Sequence, residues 1–359
     1  MMPNESAKRN KAKQKQKAQL AKAVSKEDAV KPEVAVDTAT EVTNNLEALT
    51  IADNSAPSAS SQTPTNPAIA ANSMLEVVDI PGKGKGVVAL VDIPSGTRIM
   101  KEAPYMIMTA DIPSAVDARI KRALAELDDE HRSAFLSLHN ANPSRPFPYW
   151  STFDTNALPL GPNSPQGAIY PTVCYINHSC IPNANHCWNK NLKMETIHAL
   201  RDIKKGEEIT IAYILEGTRA ERRVHVHERL GFECQCEACG APDDEVAKSD
   251  ERRRLITIFG ARIGNPLRTV TIPLEVLKEC VIFLSIVEEE FGEDTALSAS
   301  AYTDCFQIAV CCGYAPGAKR FALRAYKCRV KVEGEDSPET IRMKEFSEDP
   351  SLHPAWDIF

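Results

Sequence analysis

The chain has 359 residues, 43% of them apolar and 25% charged, with a formal net charge of -7. That composition supplies one or two buried cores and excludes a chain that is disordered throughout or held together only by disulfides. Nine of the 42 basic residues but only three of the 49 acids lie in residues 1–31, so residues 32–359 carry -13, which disfavours a general nucleic-acid-binding face on the body and leaves that role to the basic tail.

Residues 1–104 hold no Phe, Trp or Tyr, and residues 32–73 hold no Lys or Arg while accumulating Ser, Thr, Pro, Asn and Ala. Such a stretch cannot offset its own ordering entropy, so residues 1–74 are expected to be a disordered tail, basic and then low in complexity. The basic part is suited to contacting a nucleosome or nucleic acid. No run of 18 apolar residues occurs and residues 1–31 lack a secretory pattern, so the expectation is no membrane span and residence in the nucleus and/or cytoplasm.

Folding signals begin near Leu75. Short strands are predicted at Leu75–Asp79, Val87–Val91 and Arg98–Met100, with Gly82, Gly84 and Gly86 forming a turn and Pro104 and Tyr105 closing the set. Apolar spacing from Val116 to Leu138 predicts one or two helices, which Pro143 and Pro146 end; residues 151–170 read as loop. Val173–Ile176 reads as a strand beside a dense polar group, followed by strands at Met194–Leu200 and Glu208–Ile214. A helix over Arg219–Leu230 is predicted to stop at Gly231. Helices near 251–260, 274–291, 298–312 and 317–329 form an appendage over about 243–330, and 331–359, with three prolines, reads as mostly irregular.

All eleven cysteines lie at or after Cys174, and Cys234, Cys236 and Cys239 form CxCxxC. Three thiolates in one short loop are costly unless a metal neutralises them, which points to structural zinc. Spacing leaves the fourth ligand open among Cys174, Cys180, Cys187, His178 and His186. Four protein ligands leave no open position for an activated water, so the metal would fasten the loop rather than perform hydrolysis.

Asn177, His178, Ser179, Cys180, Pro182 and Asn183 gather amides, imidazole and thiol, a set able to hydrogen-bond an adenosine group. A Cys/His nucleophile is the competing reading, but no oxyanion arrangement or orienting acid accompanies it. The glycines around Lys83–Gly86 permit close backbone approach without matching a dinucleotide or triphosphate fingerprint. Tyr213 ends the last strand pattern, and Glu207 and Glu208 read as a solvated turn pair.

Taken in order, GKGKG at 82–86, NHSCIPN at 177–183, GEEITIAY at 206–213 and GFECQCEAC at 231–239 resemble the SET-domain protein lysine methyltransferases, in the branch with a divided catalytic domain. The resemblance implies a β+α fold of small β sheets in a threaded, knot-like arrangement over 75–230, a helical insert at about 106–170, a zinc loop at 231–242 and a helical extension. It implies S-adenosylmethionine as methyl donor, with Lys85, Gly86, Asn177, His178 and Phe232 around it, Tyr213 at the methyl-transfer centre and Tyr175 as a further pocket residue. It also selects Cys180 as the zinc ligand joining Cys234, Cys236 and Cys239. The implied substrate is a lysine-bearing protein, histone among the candidates, with a catalytically inactive peptide- or nucleosome-binding module as the alternative. With no cysteine before Cys174, the branch is expected to be one without the inserted zinc finger. Residues 141–160 are expected either to shape the peptide entrance or to form a packed, proline-rich loop.

Overall fold

A computed structural model describes residues 74–356; the expected N-terminal tail and its nucleosome or nucleic-acid contact lie outside the described residues. The first hairpin pairs β1 (Leu75–Ile80) with β2 (Gly84–Ala89), Leu75 opposite Ala89 and Ile80 opposite Gly84. Gly82 and Gly84 adopt φ of 76° and 73°, left-handed values that glycine accepts without a Cβ penalty. The sheet is completed by β10 (Glu208–Ile211) and the two-residue β7 (Asn177–His178), in the order β1-β2-β10-β7. β10 runs antiparallel to β2 and parallel to β7, placing Ile211 beside His178. This long-range pairing brings the glycine loop, the polar segment and the end of the last strand together.

A second sheet orders β3 (Arg98–Glu102), β9 (Met194–Ala199) and β8 (Ala184–Asn189); a third orders β4 (Met106–Thr109), β6 (Gln166–Ile169) and β5 (Leu158–Pro159). Val87, Ile99, Ile176, Ile197, Ile209 and Ile211 share one core between the sheets. The insert contributes α1 (Pro113–Glu126), α2 (Asp129–Ser137) and α3 (Pro148–Asn156), whose Ile120, Leu124, Phe135 and Phe153 pack on Met106 and Ile169.

α4 (Arg219–Leu230) begins with a reciprocal cap between Thr218 and Glu221 and ends at Gly231, φ 71°. After it, α5 (Glu237–Gly240) carries the last cysteine of the loop. The extension comprises α6 (Asp243–Ile263), α7 (Pro266–Thr271), α8 (Pro273–Phe291), α9 (Ala296–Cys311), α10 (Ala315–Glu333) and α11 (Pro338–Glu348), built around a core that includes Val276, Leu284, Phe306, Phe321 and Phe346. It is joined to the second sheet by hydrogen bonds from Asn185 Nδ2 to the Val332 carbonyl at 2.9 Å and from Asn189 Nδ2 to Asp336 Oδ1 at 3.0 Å.

The β+α architecture of small sheets with a helical extension is therefore present, with four local corrections. Residues 151–170 are not mainly loop: Pro148 starts α3 at its first turn, where proline's missing N–H costs nothing, and β5 and β6 follow. β4 continues the strand set past Tyr105. Val173–Tyr175 is a 3-10 turn rather than a strand. Residues 331–359 are not mostly irregular, because α10 reaches Glu333 and α11 adds another turn-rich stretch of helix, Pro338 and Pro350 each standing in a first helical turn. No helix among the described residues is long and apolar enough to cross a membrane.

Candidate active site and metal centre

The capped helix α4 delivers the chain at Gly231 directly into Phe232 and the cysteine loop, and that loop meets the turn after β7. Cys180, Cys234, Cys236 and Cys239 bring their sulfur atoms within 4.8 Å of one another. Cys180 Sγ lies 3.9 Å from Cys234 Sγ and 3.7 Å from Cys239 Sγ. A tetrahedron of thiolates at the usual zinc–sulfur distance of about 2.3 Å has edges of about 3.8 Å, so the donor set, its spacing and its burial fit zinc. Hydrogen bonding among the thiols raises the pKa of Cys180 and lowers those of Cys236 and Cys239, while at Cys234 the lowering by Cys180 is outweighed by Cys236, Cys239 and burial, which raise it. Four thiols this close cannot all ionise without a cation between them. Arg222, 1% exposed, donates from Nε to Cys180 Sγ at 3.2 Å, and the Cys180 amide points to Cys236 Sγ at 3.4 Å. These outer contacts orient the sulfur ligands.

This cluster corrects the expectation of a branch without a zinc finger. One ligand from within the catalytic domain and three from the loop after it build a zinc-binding loop in this chain, so a description by the lack of a finger does not hold. Cys174 and Cys187 stand outside the cluster. The Cys174 thiol accepts the Tyr170 amide at 3.2 Å and donates to the Asn156 carbonyl at 3.4 Å, and burial pushes its pKa up to about 12. That leaves it protonated and a poor nucleophile.

His178 is a strut between the metal centre and Tyr213. Its Nδ1 accepts the Tyr213 amide at 3.0 Å, and its Nε2 lies 3.3 Å from Cys180 Sγ. Burial lowers its pKa to about 4, keeping the ring neutral at neutral pH. Both ring nitrogens are thus committed to the fold. The His178 ring centroid lies 5.3 Å from that of Tyr213 and 6.2 Å from that of Phe232, so the three aromatic rings meet across the joint between strand and loop.

Asn177 closes the glycine loop. Its Nδ2 donates to the Lys85 carbonyl at 3.0 Å and to Glu208 Oε1 at 2.8 Å. A Cβ on Gly86 would come within 2.8 Å of Asn177 Nδ2 and 2.5 Å of Ile80 Cγ1, so only glycine lets this strand pass. Glu208 is not a solvated turn acid: its second oxygen pairs with Lys83 Nζ at 2.6 Å. Glu207 holds Arg201 Nη2 at 2.5 Å and accepts the Lys204 amide at 3.0 Å, and the arginine contact, followed by the amide, lowers its carboxyl to about 2.

Tyr213 is 38% exposed as a residue; its hydroxyl donates to the Ile176 carbonyl at 2.7 Å, and desolvation at the phenol raises its pKa. It lines a cleft of about 290 Å³ whose other walls are residues 154–159, Val173, Cys174, Ile176, His186, Ile211, Ala212, His225, Arg229 and Leu230. Lys85, Gly86, Asn177, His178 and Phe232 do not line this cleft: Lys85 and Gly86 lie in the first hairpin with Asn177 bonded to the Lys85 carbonyl, and His178 packs between Tyr213 and Phe232. Tyr175 packs between two apolar cores and is not a cleft residue. Sequence reasoning missed His186 and Ala212 as wall residues, because only strand pairing decides which side of β8 faces the cleft and where the chain leaving β10 runs.

The site's residues also accommodate a sulfonium methyl donor. Both described hydrogen bonds of the Asn177 side chain leave from Nδ2, so Oδ1 is free to accept from an ammonium or amine. Nothing lies within 4 Å of where a side chain would begin at Gly84, leaving the backbone open to a ligand.

Residues 84–214 match the SET domain family model. The chain is 33% identical over 294 residues to the histone-lysine N-methyltransferase set5 of Schizosaccharomyces pombe, a match covering 79% of this chain and 88% of the relative. A SET domain-containing protein of Acanthamoeba polyphaga mimivirus is 27% identical over 48% of this chain and 80% of its own length. The histone-lysine N-methyltransferase ASHR1 of Arabidopsis thaliana is 31% identical over 41% of this chain and 34% of its own. The chain belongs to the SET-domain methyltransferase family.

Proposed function

We propose that this protein transfers a methyl group from S-adenosylmethionine to the side-chain nitrogen of lysine in a protein substrate, with zinc holding the 231–239 loop in place. The observation that carries the reading is the position of Tyr213, which faces the cleft while its backbone is tied through His178 to Cys180 of the metal cluster. Lys85, Gly86, Asn177 and Phe232 surround the methyl donor in this reading: Asn177 Oδ1 and the glycine-loop backbone receive its polar groups, and Phe232 walls its aromatic part. His178 acts by holding Tyr213 rather than by a ring hydrogen bond to the donor. The bound donor supplies an electrophilic methyl on sulfur. Tyr213 orients the incoming amine, and the apolar walls at Leu158, Ile176 and Ile211 limit competing water, so alignment does most of the catalytic work.

The threaded arrangement implied by the resemblance is supported by β10, a late strand lying between β2 and β7. Histone is the favoured substrate class: relatives in yeast and plant are named histone-lysine N-methyltransferases, and an acidic body attracts a lysine-rich tail. That substrate and the basic N-terminal segment fit a chain working in the nucleus as well as the cytoplasm.

The test is labelled S-adenosylmethionine with core histones and with a pool of other basic proteins. Methyl-lysine in the product supports the reading, and Tyr213→Phe should slow transfer at least tenfold while donor affinity, read by calorimetry, changes less than threefold. Zinc-loaded, folded protein that binds peptide yet transfers no methyl to either pool would identify an inactive binding module instead.

A further inference from the structure

We propose that His186, held by Glu195, accepts the proton a substrate lysine loses in the Tyr213 cleft. This rests on the methyl-transfer reading above. A lysine ammonium, with an ordinary pKa of about 10.4, has no lone pair to attack with, so at neutral pH a proton must leave before the methyl can be received.

The other titratable groups around the cleft are poorly suited to take it. Tyr213 already donates its own hydroxyl proton to the Ile176 carbonyl, and desolvation at the phenol raises its pKa and keeps that proton in place. Cys174, from the turn before β7, is a protonated thiol. Asp154 of α3 is already engaged by two cations, lying 3.0 Å from Arg145 and 3.5 Å from Arg229 of α4. His225 of α4 has no carboxylate partner among the described residues to fix its tautomer.

His186 differs on each count. Its Nδ1 lies 3.0 Å from Glu195 Oε1 of β9, and that carboxylate is fully buried and receives the Tyr170 hydroxyl at 3.3 Å on its other oxygen. A carboxylate at Nδ1 places the neutral ring's proton there and leaves the lone pair on Nε2, which has no protein partner among the described residues. The side chain is 24% exposed, and it lines the cleft. His186 and Ala212 also line a second, mainly apolar cavity of about 80 Å³ against Phe291 and Thr295 of the helical extension. The imidazole thus stands in the partition between the reaction cleft and a space behind it.

In the step assigned here, an N–H bond of the ammonium breaks, its electron pair stays on the lysine nitrogen, and the proton forms an N–H bond at His186 Nε2. The positive charge moves to the imidazolium and faces the Glu195 carboxylate. The amine lone pair is then available to form the N–C bond as the methyl–sulfur pair remains with sulfur. The imidazolium later returns its proton to solvent.

Two measurements on the full chain test this. In the donor-free protein, long-range proton–nitrogen spectra of the imidazoles should show neutral His186 protonated on Nδ1, and Glu195→Gln should change that tautomer ratio; a neutral Nε2–H tautomer in the unaltered chain overturns the proposal. In single-turnover transfer from labelled S-adenosylmethionine to core histones between pH 6 and 10, His186→Gln should cost at least tenfold at pH 7 and recover as pH approaches the lysine's own ionisation, with donor affinity within twofold. An unchanged pH profile, or a loss equal at every pH, overturns the role of His186 while leaving methyl transfer standing. An unaltered chain that binds the donor but transfers nothing to histones or other basic proteins overturns both.

Discussion

Asn177 and Glu208 are joined by a 2.8 Å hydrogen bond across neighbouring strands, and the same carboxylate grips Lys83 of the glycine turn at 2.6 Å. Because Asn177 also holds the Lys85 carbonyl, one acid fixes both sides of the loop through which the methyl donor would be received. A partly buried carboxylate with two such partners is worth more than an exposed surface pair, which contributes about 0–1 kcal/mol.

Glu208→Ala should therefore weaken S-adenosylmethionine binding about tenfold, from a loss of roughly 1.5 kcal/mol of loop positioning, with a smaller change in the rate at saturating donor. Glu208→Gln, which keeps an acceptor for Asn177 but not the charge for Lys83, should fall between. Calorimetric titration of the donor decides this; equal affinity in all three proteins would remove the clamp from the account.

How much of this was legible in the sequence follows from how local each signal is. The Thr218/Glu221 cap and Gly231 lie within one helix, so α4 could be bounded from its residues alone. α11 could not, because it turns Thr340 and Ser347 inward alongside Met343 and Phe346, blurring the apolar stripe, and Pro338 reads as a breaker although it begins the helix. The CxCxxC loop announced a metal, but its fourth ligand lies 54 residues before Cys234, and only the pairing of β7 with β10 brings it there. His186 looked like another candidate metal ligand; its alternation on β8, invisible without the partner strand, directs it to Glu195 instead.

The tetrathiolate should be a stability element. Cys239→Ser is expected to reduce zinc from one ion per chain to a substoichiometric amount and to lower the melting temperature by about 10 °C, corresponding to roughly 3 kcal/mol in a domain of this size. Metal analysis by mass spectrometry alongside thermal unfolding checks both parts. Full zinc occupancy in the variant would mean that the ion sits elsewhere.

The extension is wired to the same centre. Arg253 of α6 is 1% exposed, donates to Glu290 Oε1 of α8 at 2.5 Å and reaches the Cys180 carbonyl at 2.9 Å and the Leu215 carbonyl at 2.7 Å. Removing its counter-charge by Glu290→Gln leaves a buried guanidinium uncompensated, which costs about 3–5 kcal/mol. Denaturant unfolding should show that loss, whereas Glu289→Gln, at the exposed neighbour paired with Arg252, should cost less than about 1 kcal/mol. Similar losses for the two would show that Arg253 is held by its carbonyl contacts alone.

A separate histidine sets an acid limit on the fold. His198 of β9 is 1% exposed; its Nε2 accepts Arg98 Nε at 3.1 Å, and its Nδ1 is buried without a partner. Burial, then the Arg98 charge, lowers its pKa to about 4, with Asp336 pulling the other way. The unfolded chain, with an ordinary histidine near 6.5, binds the proton first, so stability falls as pH drops from about 6.5 to 4 and changes no further from this group below that. Between pH 7 and pH 5 the loss should be about 2 kcal/mol. Acid also releases zinc from thiolates, so the informative quantity is the difference between the unaltered chain and His198→Gln. Urea unfolding at both pH values should show a shallower pH dependence in the variant by about that amount, and parallel pH dependences would assign the acid sensitivity to the metal centre instead.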